Sequence, residues 1–545
     1  MSAKSWTLVA VVLGSGTVFL DSTVVNVALP EMGRDLSSSL FGTLEAQSYV
    51  YYGYLLTLSS LLILAGALTD YLGRRRMFAI GLASFGVMSV LCGVAPNMEL
   101  LILFRVLQGA AGALLVPGSL SIITTTFSGE EQGRAFGVWA GASAGTTILG
   151  PALGGALVAY LSWRATFLIN IPLIAVALWA TLTKMKETRD ETASGKFDWL
   201  GATVVALAVG GLTFGAIRGQ AQEWDDVGAF IALAIGGISA IAFPILMAKS
   251  KNPLVPLDLF KSRNFTVTNL STLVIYGALY VGIQYMALFF IGALGYNELA
   301  FGLATIPGSL FLALFSARFG ALAAANGPRT YMTVGPAIMG AGILWYTRFP
   351  ADSDPWIVEL GRLASFVPPM DYVIDLLPGQ ILFGIGLMIM VAPLTSALMR
   401  SVPVEHSGVA SAVNNAISRV GPQLAGALIF IAITGTFYAN LADRVPELDT
   451  SAAAVREQIA PLNTPQDAEP GVVEAARESS AEAFHFAMLI AAGLCFAGAA
   501  INGIGIRNSE ARDTDRRPTT APSIPPCPAE ERDQQPAVLG QQAPQ

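Results

Sequence analysis

The sequence predicts an all-α integral membrane fold of 14 transmembrane helices, in which two six-helix bundles flank an inserted helix pair. Three observations carry this prediction. Of 545 residues, 53% are hydrophobic and only 13% charged, about half the charge of a typical soluble domain and too little to cover a water-facing surface. Fourteen stretches approach the roughly 20 mostly apolar residues that a bilayer-spanning helix needs, and they run continuously instead of alternating, which selects helices over barrel strands. Lys and Arg are distributed unevenly between the connecting loops.

The first stretch, 7–28, is too long for the apolar part of a signal peptide and carries Asp21, so it reads as a retained helix. Then come 46–67, 77–95, 99–123, 135–160 and 165–183. A pair, 199–217 and 227–248, sits between two basic linkers, 184–198 and 249–265. Six more follow at 266–293, 300–322, 330–348, 376–399, 409–436 and 482–505. With the N-terminus inside, 21 of the 31 Lys and Arg fall on the cytoplasmic side and 8 outside, and Arg105 and Arg419 lie within stretches. This excess, with the even span count, predicts both termini in the cytoplasm of a multi-pass cell-membrane protein. The expected domains are 1–184 (six-helix bundle), 185–265 (linker with the inserted pair), 266–507 (second six-helix bundle) and 508–545, a disordered tail rich in Pro, Gln and charge. Two outer loops are long, 349–375 and 437–481. The second is acidic, and its run 452–459 reads as a short surface helix or, by preference, as part of a mobile loop.

Two His and three Cys supply neither a disulfide framework nor a metal-ligand pattern. No nucleophile–base pair is evident, and no G-x-x-x-x-G-K-[ST] loop exists to bind nucleotide. An enzyme or a nucleotide-driven pump is therefore not expected, nor is a metal, a cofactor or a nucleic-acid partner. The expected partners are a small-molecule substrate, protons and membrane lipids, and the chain is expected to be a monomer.

Four motifs give the chemistry. Gly66-Ala-Leu-Thr-Asp70-Tyr-Leu-Gly73-Arg74-Arg75-Arg76 joins the second and third stretches. Its glycines allow a sharp turn and close helix approach, and Asp70 can accept hydrogen bonds from a helix N-terminus or pair with an Arg. This suits a conformational latch formed by Gly66, Asp70, Gly73, Arg74 and Arg75. The fourth stretch carries Arg105-Val-Leu-Gln108-Gly109. An arginine in the lipid interior needs a partner, and because it keeps its proton it serves to modulate a carboxylate or as a purely structural ion pair. The fifth carries Gly141, Gly145 and Gly150-Pro151-Ala-Leu-Gly154-Gly155, small residues for close packing around a kinking Pro. The first ends Leu20-Asp21-Ser-Thr-Val-Val-Asn26-Val-Ala-Leu-Pro30.

These motifs resemble those of the major facilitator superfamily, whose transporters are built as two six-helix repeats with the substrate site between them. The fifth-stretch pattern is similar to one associated with exporters. The first-stretch motif, with Trp163-Arg164 and Phe167-Leu-Ile-Asn170-Ile-Pro172, resembles the 14-span drug:proton antiporter family over about residues 7–435. That resemblance implies export of amphipathic drugs or natural products by alternating access. Tyr49, where relatives usually have Trp, Tyr71, where a basic residue is usual, and the Gln missing before Leu294-Gly295-Tyr296 depart from the pattern.

Geometry assigns the coupling residues. Asp21 lies about seven residues from the outer end of the first stretch and Arg105 about six from the outer start of the fourth. At about 1.5 Å per residue both sit roughly 10 Å deep. Asp21 is therefore expected to bind the proton and Arg105 to modulate it. Replacing Asp21 by Asn is expected to abolish coupled efflux and leave folding intact. Glu45 is a second candidate, or an interfacial charge facing headgroups. Asn26, Gln108, Gln284, Tyr280, Asn415 and Arg419 are candidates to line a substrate cavity. Asn415 and Arg419 share a helix face, and Arg419 reads equally as a substrate contact or a helix bridge. Gln284 reads as lining the cavity or as a helix–helix hydrogen bond. Two other functions remain open: export of a lipid or endogenous metabolite, and a non-transporting receptor or scaffold on the same fold.

Overall fold

The computed structural model describes residues 2–40, 43–189, 197–221, 224–359, 361–463, 465 and 468–508, without the helix side chains at 43–45, 48, 147, 148, 151, 152, 220, 221, 453, 454 and 457. Its helices are α1 (Ala3–Asp35), α2 (Thr43–Ser60), α3 (Leu62–Leu72), α4 (Arg74–Gly93), α5 (Met98–Ala113), α6 (Leu115–Thr126), α7 (Gly129–Tyr160), α8 (Ala165–Leu168), α9 (Asn170–Lys184), α10 (Trp199–Ala221), α11 (Val227–Lys249), α12 (Arg263–Ala287), α13 (Glu298–Asn326), α14 (Arg329–Trp345), α15 (Leu377–Arg400), α16 (Ser407–Arg444), α17 (Ala453–Gln458) and α18 (Pro470–Gly505). Short polar side chains set several starts. Asn97, Asp226, Ser262 and Asn297 each accept a backbone N–H three residues on, satisfying donors that a helix leaves unpaired.

Among the described residues, eleven helical segments are long and apolar enough to cross a membrane, or twelve if α2 and α3, bent by 47°, form one span. Helices α7 and α14 stand outside that number. Helix α14 has 17 residues, about 26 Å of helix against a hydrocarbon core of roughly 30 Å.

The long segment 437–481 differs from the mobile loop preferred from sequence. Helix α16 runs on to Arg444, α18 begins at Pro470, and α17 stands between them. Arg444 bridges Glu478 at 2.9 Å and Glu482 at 2.6 Å, so the acidic residues bind the two helix extensions together. Of the tail 508–545, residues 509–545 lie outside the described residues.

One apolar core is centred on α1–α9 around Phe78, Phe85 and Phe136 and extends onto α10 and the start of α16, and another lies within α12–α18 around Phe289, Phe290 and Phe484. The halves meet along two seams, α7 against α13, and α3 with α6 against α16. Both seams close at the end carrying Arg74–Arg76. Helix α7 turns Gly133, Gly137, Gly141 and Gly145, at four-residue spacing, toward α13. A Cβ on the first three would collide with Gly320, Ala317 and Ser316 respectively, whereas one on Gly145 would meet nothing within 4 Å. Helix α16 is likewise buried from Ser407 to Asn414 and only half-buried from Ile417 to Val420. The halves are thus joined at one end and apart at the other, leaving a cleft between them.

Helix α10 of the inserted pair packs on α2, α3 and α16, while α11 rests on α10. Arg218 pairs with Asp226 across the pair's turn and donates to the Tyr49 hydroxyl at 3.3 Å. Tyr49, a departure in the motif, thus fastens the pair to α2.

Candidate functional site: a buried ion pair and an interdomain latch

Helices α1 and α5 bring Asp21 and Arg105 together. Both are fully buried, and Arg105 Nη1 donates to Asp21 Oδ2 at 2.5 Å. Such a pair costs several kcal/mol of desolvation per ion unless further hydrogen bonds complete it, and here they do. Asp21 Oδ1 accepts from Gln108 Nε2 at 3.2 Å and from Asn170 Nδ2 at 2.9 Å. Ser89 on α4 accepts from both amides at 3.0 Å. Arg105 also donates to Gln108 Oε1 at 2.8 Å and to the Val50 carbonyl at 3.2 Å. The Tyr54 ring stacks 4.0 Å from its guanidinium, a cation–π contact. Gly109 makes this possible, since a Cβ there would collide with Tyr54 and Thr57 on α2.

Both carboxylate oxygens of Asp21 are therefore occupied by donors. A proton reaching Oδ2 competes with Arg105 Nη1, so proton binding and the ion pair are alternatives at one atom. Among the described residues, the buried Arg105 Nη2 has no hydrogen-bond partner.

Gln108, expected in the cavity, is instead a buried member of this network, because its place three residues after Arg105 puts it on the same helix face. Asn170 was read from sequence only as part of the Phe167–Pro172 motif, with no role assigned, and Ser89 was not singled out. Their signal was a small polar residue in an apolar run, at the depth of Asp21. The backbone of Glu45 is helical, but its side chain lies outside the described residues, as does that of Pro151.

Two residues past Asp21, α1 touches α7. A Cβ on Gly150 would overlap Thr23, and one on Gly154 would come within 2.8 Å of the Val24 carbonyl. Gly145 and Gly155 face open space. The glycine pattern of α7 thus divides its labour, holding α1 at Gly150 and Gly154 and α13 at Gly133–Gly141.

The latch closes the other end. Asp70 accepts from the Gly408 and Val409 backbone N–H groups at 3.1 and 2.9 Å, capping α16 from the opposite half, where the helix dipole favours an anion. Arg74 donates to Asp70 at 2.9 Å and to the Val404 carbonyl at 2.8 Å. Ser121 and Ser407 complete the contact at 2.7 Å. Gly66 packs against Gly408 and Ala412, and Gly73 turns at φ 111°, a conformation that side chains strain. Arg75 does not cross the seam. It donates to the Thr181 and Leu182 carbonyls at 3.2 and 2.6 Å, within its own half. Glu187, missed from sequence, accepts from the Arg75 and Arg76 backbone N–H groups at 3.0 Å each and so caps α4.

Of the cavity candidates, Asn26, Tyr280 and Gln284 are exposed and Asn415 and Arg419 half-buried. Asn415 donates back to the Ser411 carbonyl at 2.9 Å. Helix α16 packs against α12, which carries Tyr280, and touches α2, which carries Tyr51, so these three helices meet at the base of the cleft.

The comparisons with known proteins agree with this architecture. A puromycin resistance protein of Streptomyces alboniger is 32% identical over 446 residues, covering 80% of this chain and 83% of that one. A multidrug resistance protein of Mycobacterium tuberculosis is 30% identical over 447 residues, covering 81% and 79%. The human organic anion transporter MFSD10 has the same fold at 13% identity, with a TM-score of 0.56 over 92% of this chain and 99% of that one. The family profile of the Major Facilitator Superfamily matches residues 11–427, and the chain belongs to that superfamily of membrane transporters.

Proposed function

We propose that this protein is a proton-coupled exporter of small amphipathic organic molecules, working by alternating access as a 14-span member of the drug:proton antiporters. The observation that carries the reading is the buried Asp21–Arg105 pair, set two residues from the contact between α1 and α7. When a proton takes Oδ2, Arg105 loses its partner and α1 shifts. Helix α7 is packed on α1 at one end and on α13 at the other, so it carries that shift to the seam between the halves. The latch at Asp70 then opens or closes. Substrate enters from the cytoplasm or inner leaflet with Asp21 deprotonated, and protonation from outside resets the carrier. In this reading α7 and α14 also span, both termini are cytoplasmic, the bundles are 1–184 and 266–507, and the cleft opens outward. The resistance proteins among its relatives support efflux as the direction, and they give drug-like compounds precedence over lipids or endogenous metabolites as cargo.

The test is proton release on addition of compound to protein in proteoliposomes, screened across cationic, neutral and anionic amphipaths. Release that tracks transport of at least one compound is expected. Transport with no accompanying proton movement would refute the coupling.

A further inference from the structure

The base of the cleft carries a cation with no counter-ion among the described residues. The buried charged side chains of the described residues are Asp21, Asp70, Arg74 and Arg105, and all four are consumed in two ion pairs. Arg419 is different. It lies just past the level where α16 leaves the packed seam, is half-buried, and has neither a hydrogen bond nor an ion pair among the described residues. The helices that α16 meets here, α2 and α12, carry the half-buried Tyr51 and the exposed Tyr280. A cation held in the membrane interior without a partner is costly, and the cost falls when an anion arrives.

We propose that Arg419 is an anion-recognising subsite of the transport cleft, and that the preferred cargo is an amphipath bearing a carboxylate or similarly acidic group. This rests on the transporter reading above. The guanidinium takes the acidic group bidentately. The tyrosine rings take the apolar body and orient it through their hydroxyls. Asp21 is already neutralised by Arg105, so it offers a cationic compound no free carboxylate. Substrate and proton are thereby recognised by separate residues, Arg419 in the C-terminal half and Asp21 in the N-terminal half.

The experiment is binding, read by dansyl fluorescence on the purified full-length protein in lipid nanodiscs. The probes are N-dansylphenylalanine (anionic), its methyl ester (neutral) and dansylcadaverine (cationic). Wild type is expected to bind the anion about tenfold more tightly than the ester, the scale of one charge-assisted contact in a partly wet site. Arg419→Gln is expected to remove that difference by weakening the anion alone, and Arg419→Lys to restore part of it. Tighter binding of dansylcadaverine than of the anion, no binding of any probe to wild type, or an equal loss for all three in Arg419→Gln would overturn the proposal. Transport assays in proteoliposomes separate the two readings. The expected order of binding without proton-driven movement would overturn the exporter reading and leave the anion subsite standing.

Discussion

The latch yields the most quantitative prediction. Asp70→Ala removes the carboxylate that caps α16 across the seam. Opening the seam in wild type breaks two backbone N–H bonds to that carboxylate, at 3.1 and 2.9 Å. A hydrogen bond to a charged group contributes roughly 1.5–3 kcal/mol net. Water replaces part of this when the halves part, so the low end applies, about 3 kcal/mol for the two. That shifts the ratio of closed to open forms by roughly 100-fold toward open. The loss is reinforced because Arg74, whose side chain is 3% exposed, is left buried without its acid. The assay is a distance measurement between spin labels at Lys184→Cys and Thr330→Cys, exposed positions on the latch end of each half, in a Cys527→Ser background. Cys92 and Cys495 are buried and stay unlabelled. A longer distance population should dominate in Asp70→Ala. A distribution identical to wild type would refute the claim that this carboxylate holds the seam.

Other outcomes follow from the same packing. Gly150→Val forces a branched side chain into Thr23, an overpacking cost of about 1–3 kcal/mol, and should reduce transport at least tenfold. Gly145→Ala, which meets nothing within 4 Å, should transport like wild type, and the pair compared in one efflux assay checks that contact with α1 is the cause. Glu187→Ala should cost about 1 kcal/mol through the lost cap of α4, seen as a lowered midpoint of thermal unfolding with transport retained. Asp21→Asn should unfold at markedly lower temperature than wild type, because one half of a fully buried pair is left uncompensated at about 3–5 kcal/mol. The double variant Asp21→Asn, Arg105→Gln should recover much of that loss.

That expectation revises one drawn from sequence, that Asp21→Asn leaves folding intact. Depth was legible because a helix rises by a fixed length per residue, so two opposite charges at one depth pointed to each other. Burial was not legible, because whether water reaches a side chain depends on helices far away in the chain. The same limit hid the roles of Asn170, which reaches Asp21 only after α9 packs beside α1, and of Ser89, which α4 brings to the Gln108 and Asn170 amides, and it misplaced Gln108 in a cavity that its helix turns away from. The latch motif was readable because Gly73 has a local conformational need and a carboxylate such as Asp70 suits a helix N-terminus. Its division of labour was not, since the sequence gives no reason for Arg74 to cross the seam while Arg75 stays within its half. The helical extensions of 437–481 were read as loop because polar composition masks a helix whose stability comes from Arg444, Glu478 and Glu482 on two separate elements.

The account depends on Asp21 being the group that exchanges the proton. The direct measurement is substrate-triggered proton release from purified protein, compared between Arg105→Gln and the double variant Asp21→Asn, Arg105→Gln, both folded by thermal unfolding. Release in the first and none in the second is the predicted result. Equal release from both would contradict the assignment and return the search to Glu45, the second candidate.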